Sequence, residues 1–593
     1  MVWLPQSSYL GHAQIRPALK KHAQALAQAD RQSAPLSSQP SQPLLPSQPP
    51  AGNSPDRQAQ VDKPRSNPPY NQTPSPNNQG SQPAAGKASI PSPKTKPKRI
   101  ILPGTTVSLG RRSSAAVPAN FLGFSWETWM LPQMIGSGKQ YWGPAGRLIR
   151  NLSSGNSFSL RLGGDSQDRS WWVSNPKTVP ASLLKNHPVS RSDIVQAIPQ
   201  ARGTRFLITP SWINRLAVFS HNNNIHNLVG LNLASEAPRN SLSYTSQMIR
   251  KLGWKYIQGF EIGNEPNLYG LWRRQWQKVD NTFIDTQQPN PMEWDYYIRS
   301  WKAHQKTLHR LVPARKTIGP TIPCPFSSWC KRTGQFYRST KGRVGMSTLH
   351  LYAMPLSTAR SREQLLSDPF SIHLGGQIQK KAQEAHRAGL PIRLDEFNSS
   401  AHGGMPGTSD SFASALWAPG AMLSLQRAGV DGVNVHFGYG TAYKPFWIRW
   451  RGRRATAQVA PLYYGLQLFA WATKGHSRTM VTRQTGSSPG MDTWILRSGS
   501  GKLKALLINR SDRNHQVNLS LGERGNARML RMHAASPASK SGVVLGGQRF
   551  GGDGRLHGRP VRHLVRLKRF NKQTKVYQVG MPSYSAALVS FSR

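Results

Sequence analysis

The sequence predicts an α/β protein: a (β/α)8 TIM barrel carrying a C-terminal antiparallel β-sandwich and preceded by a disordered N-terminal tail. Three observations predict it. From about residue 116, short β-like runs recur with helical stretches between them, the signature of βα units. After Gly475 the helical stretches stop, and alternating strands and turns follow as in a sandwich. Residues 30–98 are a Pro/Gln/Ser tract ("SSQPSQPLLPSQPP") with few aliphatics and no periodicity. Such a segment buries too little surface to offset its chain entropy.

The barrel expectation rests on eight runs. They are "FLGFSWE" (121–127), "SLRLGG" (159–164), "LVGLNLA" (228–234), "IQGFEIGNE" (257–265), "KTIGPTI" (316–322), "MSTLHLY" (346–352), "PIRLDEFN" (391–398) and "GVNVHFG" (432–438). Between them lie helix candidates. "TPSWINRLAVFSHNN" opens with Thr209 as N-cap and Pro210 at the first helical position. "DYYIRSWKAHQKTLHRLV" has apolar spacing near 3.6, and "PLYYGLQLFAWATKG" closes on Gly475. Eight strand–helix repeats make a closed barrel. The expected domains are a disordered tail and linker over 1–98, a strand in 99–115 that joins the sandwich, the barrel over 116–475 and the sandwich over 476–593.

Lys and Arg number 77 against 25 Asp and Glu, a formal charge of +52. The tail carries only +8 of it, so the excess is spread over the folded part. That fits a polyanionic glycan partner or an adaptation to surroundings, and no reading motif supports specific nucleic-acid binding. No run approaches the roughly 20 apolar residues of a membrane-spanning helix. Residues 1–29 contain "AQALAQA", which resembles a signal cleavage region, but they lack an apolar core and no signal peptide is read. The Pro-rich linker still leans toward an extracellular or periplasmic protein. Cys324 and Cys330 are not spaced for zinc, and they fit a local disulfide or two free thiols. Nothing in the sequence asks for a metal or another cofactor.

Chemistry in such barrels sits at the C-terminal ends of the strands. "FEIGNEPN" puts Glu265 at the end of the fourth run, where a carboxylate has no use in a buried strand unless a proton or a charge is needed there. A second acid ends the seventh run, "RLDEFNSSAHGGMPG", as Glu396. Two acids across one barrel mouth are the arrangement for glycoside hydrolysis. Glu261 shares a face with Glu265 and lies a layer deeper, as a structural acid paired with a barrel Arg. Asp395 and Glu396 should point to opposite faces, so only one reaches the mouth, and composition does not choose between them.

"GNEPN", "LRLGGDSQD", "LHLY" and "DEFNSSAHGGMPGTSDSFASALWA" together resemble glycoside hydrolase family 79, the retaining β-glucuronidases and heparanase of the clan-A barrels. The resemblance covers residues 99–593. It implies that Glu265 is the acid/base and Glu396 the nucleophile of a retaining hydrolase cleaving β-glucuronides by double displacement. It also implies that Asn264 holds the sugar 2-hydroxyl, that Tyr352 orients Glu396, that His350 lines the same rim, and that Asp168 binds sugar hydroxyls. The uronic carboxylate would be held by backbone amides of Gly403 and Gly404 and by Tyr443. Glu127, at the end of the first strand, is a substrate contact or a loop cap. Two other readings stand beside this one: a clan-A β-glycosidase on a neutral sugar, and an inactive polyanion-binding or glycan-binding barrel. Both acids are present, which counts against the second.

Overall fold

The computed structural model describes residues 104–136, 143–185, 191–201, 203–269, 292–354, 361–367, 372–571 and 574–592. The tail expected over 1–98 lies outside these residues. Eight parallel strands close into a barrel: Leu122–Glu127, Phe158–Gly163, Ile225–Leu231, Ile257–Ile262, Thr317–Pro323, Met346–Met354, Ile392–Ser400 and Gly432–Phe437. They are called the first to eighth barrel strands below. Each falls within or beside one of the eight runs read from the sequence. The second, seventh and eighth strands are buried along their whole length. A parallel strand is covered by helices outside and by barrel side chains inside, so both faces favour near-continuous apolar runs.

Helices ring the barrel where local signals start and stop them. In Pro210–Asn223 the Thr209 side chain accepts from Trp212 N, Pro210 sits at the first position, and Asn224 ends the helix in the left-handed conformation. Trp294–Leu308 buries Trp294, Tyr297, Ile298, Trp301 and Leu308, a stripe at three- and four-residue spacing. Phe412–Arg427 is buried nearly all round. The barrel covers one side of it, and residues of the C-terminal domain hold its start through bonds from Phe412 N to Ser539 O and Ala413 N to Pro537 O.

The C-terminal domain is a mostly antiparallel sheet of eleven described strands around its own core, which includes Val107, Ile495, Leu507, Leu519, Tyr577 and Val589. Val107 belongs to Thr105–Ala116, which pairs antiparallel with Arg478–Thr485 and parallel with His515–Ser520. The chain therefore passes through this sheet before it builds the barrel. Cys324 and Cys330 form a disulfide in the loop after the fifth barrel strand. No described helix is long and apolar enough to cross a membrane.

Candidate active site

The fourth strand ends at Ile262, and three residues later Glu265 adopts a left-handed conformation with φ of +43°. A non-glycine residue holds that conformation only where its surroundings compel it. Glu265 N donates to Thr321 O at 2.9 Å, and Glu265 O accepts from Leu268 N at 2.8 Å. Asp168 supplies the other restraint. Its carboxylate accepts from Asn264 N at 2.7 Å, Leu233 N at 2.8 Å and Ala234 N at 3.2 Å. Burial pushes the Asp168 carboxyl up to about 6, against the pull of those amides. The turn so fixed aims Glu265 Oε1 at His350 Nδ1, 2.6 Å away.

The seventh strand solves a different problem. Leu394 pairs with Leu349 of the sixth strand, but Glu396 pairs with the next residue, His350, so Asp395 is an extra residue in a bulge. The bulge overturns the expectation that Asp395 and Glu396 point to opposite faces: both meet the guanidinium of Arg161, Asp395 Oδ2 at 3.5 Å and Glu396 Oε2 at 2.8 Å. Tyr352 OH donates to Glu396 Oε1 at 2.6 Å. Burial opposes ionisation of Glu396. The pull of His436 and Arg161, with the Tyr352 hydroxyl, outweighs it and holds this carboxyl well below the usual range.

Arg161 is the hub beneath the pair, and the sequence reading did not single it out. Its Nη2 donates to Glu261 Oε1 at 2.6 Å and to Asn264 Oδ1 at 2.7 Å, and its Nη1 donates to Ser125 Oγ at 3.2 Å. Arg161 and Glu261 are wholly buried, which such charges tolerate only when paired. The available signal was a lone cation inside the apolar run "SLRLGG".

A cavity of about 840 Å³ opens over the C-terminal ends of the strands. Of the residues singled out above, Glu127, Glu265, Tyr352, Glu396, Gly403 and Tyr443 line it. His350 and Asn264 stand behind its wall, His350 against Glu265 and Asn264 held by Arg161. Two expectations need correction. Asp168 does not reach the cavity, because both its oxygens hold backbone amides; Asp165, one turn earlier, lines the wall instead. Gly404 does not line it either. Its N–H faces Ala401 O, and a Cβ there would come within 3.0 Å of Tyr443 Cδ1, so the glycine permits close packing of that tyrosine. Gly403, at φ of +83°, is the glycine on the wall.

The remaining wall was not foreseen. His436 lines the cavity with Nδ1 3.0 Å from Ser125 Oγ and Nε2 3.7 Å from Glu127 Oε1. Glu127 Oε2 also accepts from Ser166 N at 2.9 Å, so this acid caps a loop and faces the cavity at once. The rings of Tyr352 and Tyr443 lie nearly parallel, 6.2 Å apart. Phe326 and Tyr439, both more than half exposed, flank the opening.

One oxygen each of Glu265 and Glu396 and a ring nitrogen of His350 lie within 4.8 Å of one another. A zinc-sized ion would draw three such donors to about 2.0–2.2 Å from itself. Arg161 already occupies Glu396 Oε2, so the donor set suits a facing pair of acids better than a metal. Two carboxyls at this spacing, one held ionised and one touching an imidazole, can divide attack on a carbon from protonation of its leaving group.

The chain is similar over 353 residues to a β-glucuronidase of Neurospora crassa, with 24% identity. The match covers 54% of this chain and 57% of that protein, so the chain matches little more than half of that relative's length. No protein-family model matches the chain. Among solved structures, a 4-O-α-L-rhamnosyl-β-D-glucuronidase from Fusarium oxysporum 12S is similar with a TM-score of 0.61 at 17% identity, over 82% of this chain and 100% of that one. A family 51 arabinofuranosidase from Xanthomonas axonopodis pv. citri is similar with a TM-score of 0.57 at 12% identity, over 82% and 100%. The likeness to these two structures establishes the barrel and its appended sheet domain as a shared fold.

Proposed function

We propose that this protein is a retaining glycoside hydrolase acting on β-glucuronides. The observation that carries the reading is the pair Glu265 and Glu396, facing each other within 4.8 Å in unlike surroundings. Glu396, held ionised, attacks the anomeric carbon while Glu265 delivers its proton to the departing glycosidic oxygen. The glycosyl ester on Glu396 no longer carries a negative charge, so Glu265 can next take a proton from water, which completes hydrolysis with retention. The Neurospora β-glucuronidase and the Fusarium rhamnosyl-glucuronidase favour a uronic substrate.

The Gly403 amide and Tyr443 hydroxyl would receive the uronic carboxylate, since fixed donors recognise an anion without the entropy of a long side chain. Glu127 and Asp165 would bind sugar hydroxyls, with Asn264 Nδ2 supporting Asp165 Oδ1 from behind the wall at 3.4 Å. The formal charge of +52 supports acidic glycan chains as natural substrates. The Cys324–Cys330 disulfide supports an exported protein.

The test compares p-nitrophenyl β-D-glucuronide with the matching glucoside and galactoside, for wild type, Glu265→Ala and Glu396→Ala, with product anomers followed by NMR. Glucuronide-selective turnover that both substitutions abolish, releasing the β-anomer first, is the expected result. Turnover of neutral glycosides alone would sink the assignment of Gly403 and Tyr443.

A further inference from the structure

The mechanism above leaves one buried acid unused. Asp395 is fully buried, and neither of its oxygens accepts a hydrogen bond from a fixed donor among the described residues. The same holds for Nε2 of His350. These unmet atoms face each other: Asp395 Oδ1 is 3.7 Å from His350 Nε2, a small side-chain adjustment from hydrogen-bond contact. On its other ring nitrogen, His350 touches Glu265 Oε1 at 2.6 Å. Asp395, His350 and Glu265 therefore form a line from the barrel interior to the acid that faces the cavity.

The charges around this line decide where its protons sit. Asp395 faces Arg161 from the second strand, Glu261 from the fourth, His350 from the sixth, and Arg393 and Glu396 on its own strand. His350 faces Glu265, Asp395 and, at 3.8 Å, Glu396 Oε2. Asp165 and Tyr352 also lie within the field of Glu265. Burial, and then Glu261, hold the Asp395 carboxyl well above the ordinary carboxylate range, against the pull of Arg161. A neutral Asp395 has one proton and two neighbours that could accept it. Arg161 Nε is shared by Glu261 and by Asp395 Oδ2, so Oδ2 is the oxygen on the Glu261 side. Glu261, paired with Arg161 Nη2 at 2.6 Å, is the stronger acceptor of the two, so the proton sits on Oδ2 toward Glu261. Oδ1 is left as an acceptor facing Nε2.

We propose that Asp395 is a positioning residue that fixes His350 as its Nε2–H tautomer, leaving Nδ1 as an acceptor that keeps the acid proton on Glu265 Oε1. This rests on the reading of Glu265 as the proton donor. The consequence runs through both chemical steps. In the first, Glu265 is loaded and oriented before substrate arrives, and its proton passes to the glycosidic oxygen. In the second, the ionised Glu265 faces a lone pair on Nδ1, which strengthens its pull on a proton of the attacking water. One proton leaves Glu265 and one returns, so the relay itself is unchanged over a turnover. The tautomer of a histidine is set by the partner of its other nitrogen, and here that partner is Asp395.

The test pairs Asp395→Leu, which removes the acceptor, with Asp395→Asn, which imitates a neutral carboxyl. Asparagine can donate to Glu261 and still accept from Nε2. Two substrates separate the roles: phenyl β-D-glucuronide, whose leaving group needs a proton, and 2,4-dinitrophenyl β-D-glucuronide, whose leaving group does not. Asp395→Leu should lose roughly 10–100-fold in kcat/KM on the phenyl substrate, with the basic limb of its pH profile moved to lower pH. Its loss on the dinitrophenyl substrate should be at least tenfold smaller, and Asp395→Asn should restore both the rate and the limb. Equal losses on both substrates with an unmoved limb would make Asp395 merely structural. Asparagine as damaging as leucine would show that charge matters and the tautomer does not. Ring ¹⁵N NMR of the histidine-labelled protein, with His350 assigned by His350→Gln, gives a readout independent of turnover. The Nε2–H form is expected in wild type and in Asp395→Asn; the Nδ1–H form or an imidazolium would overturn the proposal. If that form is found but no glucuronide is cleaved, the functional reading fails and the tautomer assignment stands.

Discussion

Glu265 and Glu396 carry the same carboxyl group on the same barrel rim, yet the chain builds their surroundings in opposite ways. Glu396 lies inside a strand, and both of its oxygens are held, one by Arg161 and one by Tyr352. Glu265 lies beyond its strand on a strained turn, and its side chain meets one imidazole. The first environment stabilises negative charge; the second offers a single ring-nitrogen contact. In the proposed mechanism these unlike surroundings give identical side chains complementary tasks, the general route by which one fold runs acid and base chemistry at one pH. The backbone differs in the same sense. A bulge turns Glu396 inward without leaving the sheet, whereas Glu265 turns inward in a left-handed conformation three residues after its strand has ended.

The contrast can be broken most severely at Glu396. Glu396→Ala should lower kcat roughly 10⁴-fold or more, as removal of a nucleophile does. Added azide should restore turnover as the α-glucuronyl azide, and a β-azide product would exchange the two assigned roles. Glu265→Ala should cost roughly 10²–10⁴-fold on substrates with poor leaving groups and far less on dinitrophenyl glucuronide. Equal losses on both would remove the distinction between the two acids.

Smaller changes sharpen it. Asp168→Asn puts an amide donor against backbone N–H groups that now meet a carboxylate, and should lower stability by about 2 kcal/mol in urea unfolding. If Asp168 bound sugar hydroxyls instead, KM would rise with no loss of stability. The mildest effect should come from Tyr352→Phe. The Tyr352 hydroxyl helps hold Glu396 low, so its removal raises the pH at which Glu396 takes up a proton. The acid limb of kcat/KM should move upward by about one pH unit, the scale of one charge-assisted hydrogen bond. An unmoved limb would mean that Arg161 and His436 suffice.

Residues with a local signal were legible in the sequence. Both acids belong to β-like runs where an apolar residue is the rule, so each stood out without a structure. Glu261 read as a deeper acid awaiting a barrel arginine, and Arg161 is that partner. Residues whose roles depend on contacts across the barrel were not legible. Arg161 is 100 positions from Glu261 and 235 from Glu396, and His436 is 311 from Ser125. Asp168 and Asp165 sit in one short motif, and only the fold of the turn decides which carboxylate ties down backbone and which faces the cavity. Period-two alternation excluded what the bulge at Asp395 allows.

The amino-acid sequence by itself determined the alternation of strand and helix, the closing sheet domain and the two acids that interrupt or follow apolar runs. Those features follow from burial period, capping residues and turn chemistry, which act over a few neighbouring residues. Only the tertiary structure decided which acid is clamped and which stays open, where the cavity wall runs, and that Asp395 meets His350. Protonation and orientation depend on charges a few ångströms away, and residues that close in space here come from strands hundreds of positions apart in the chain.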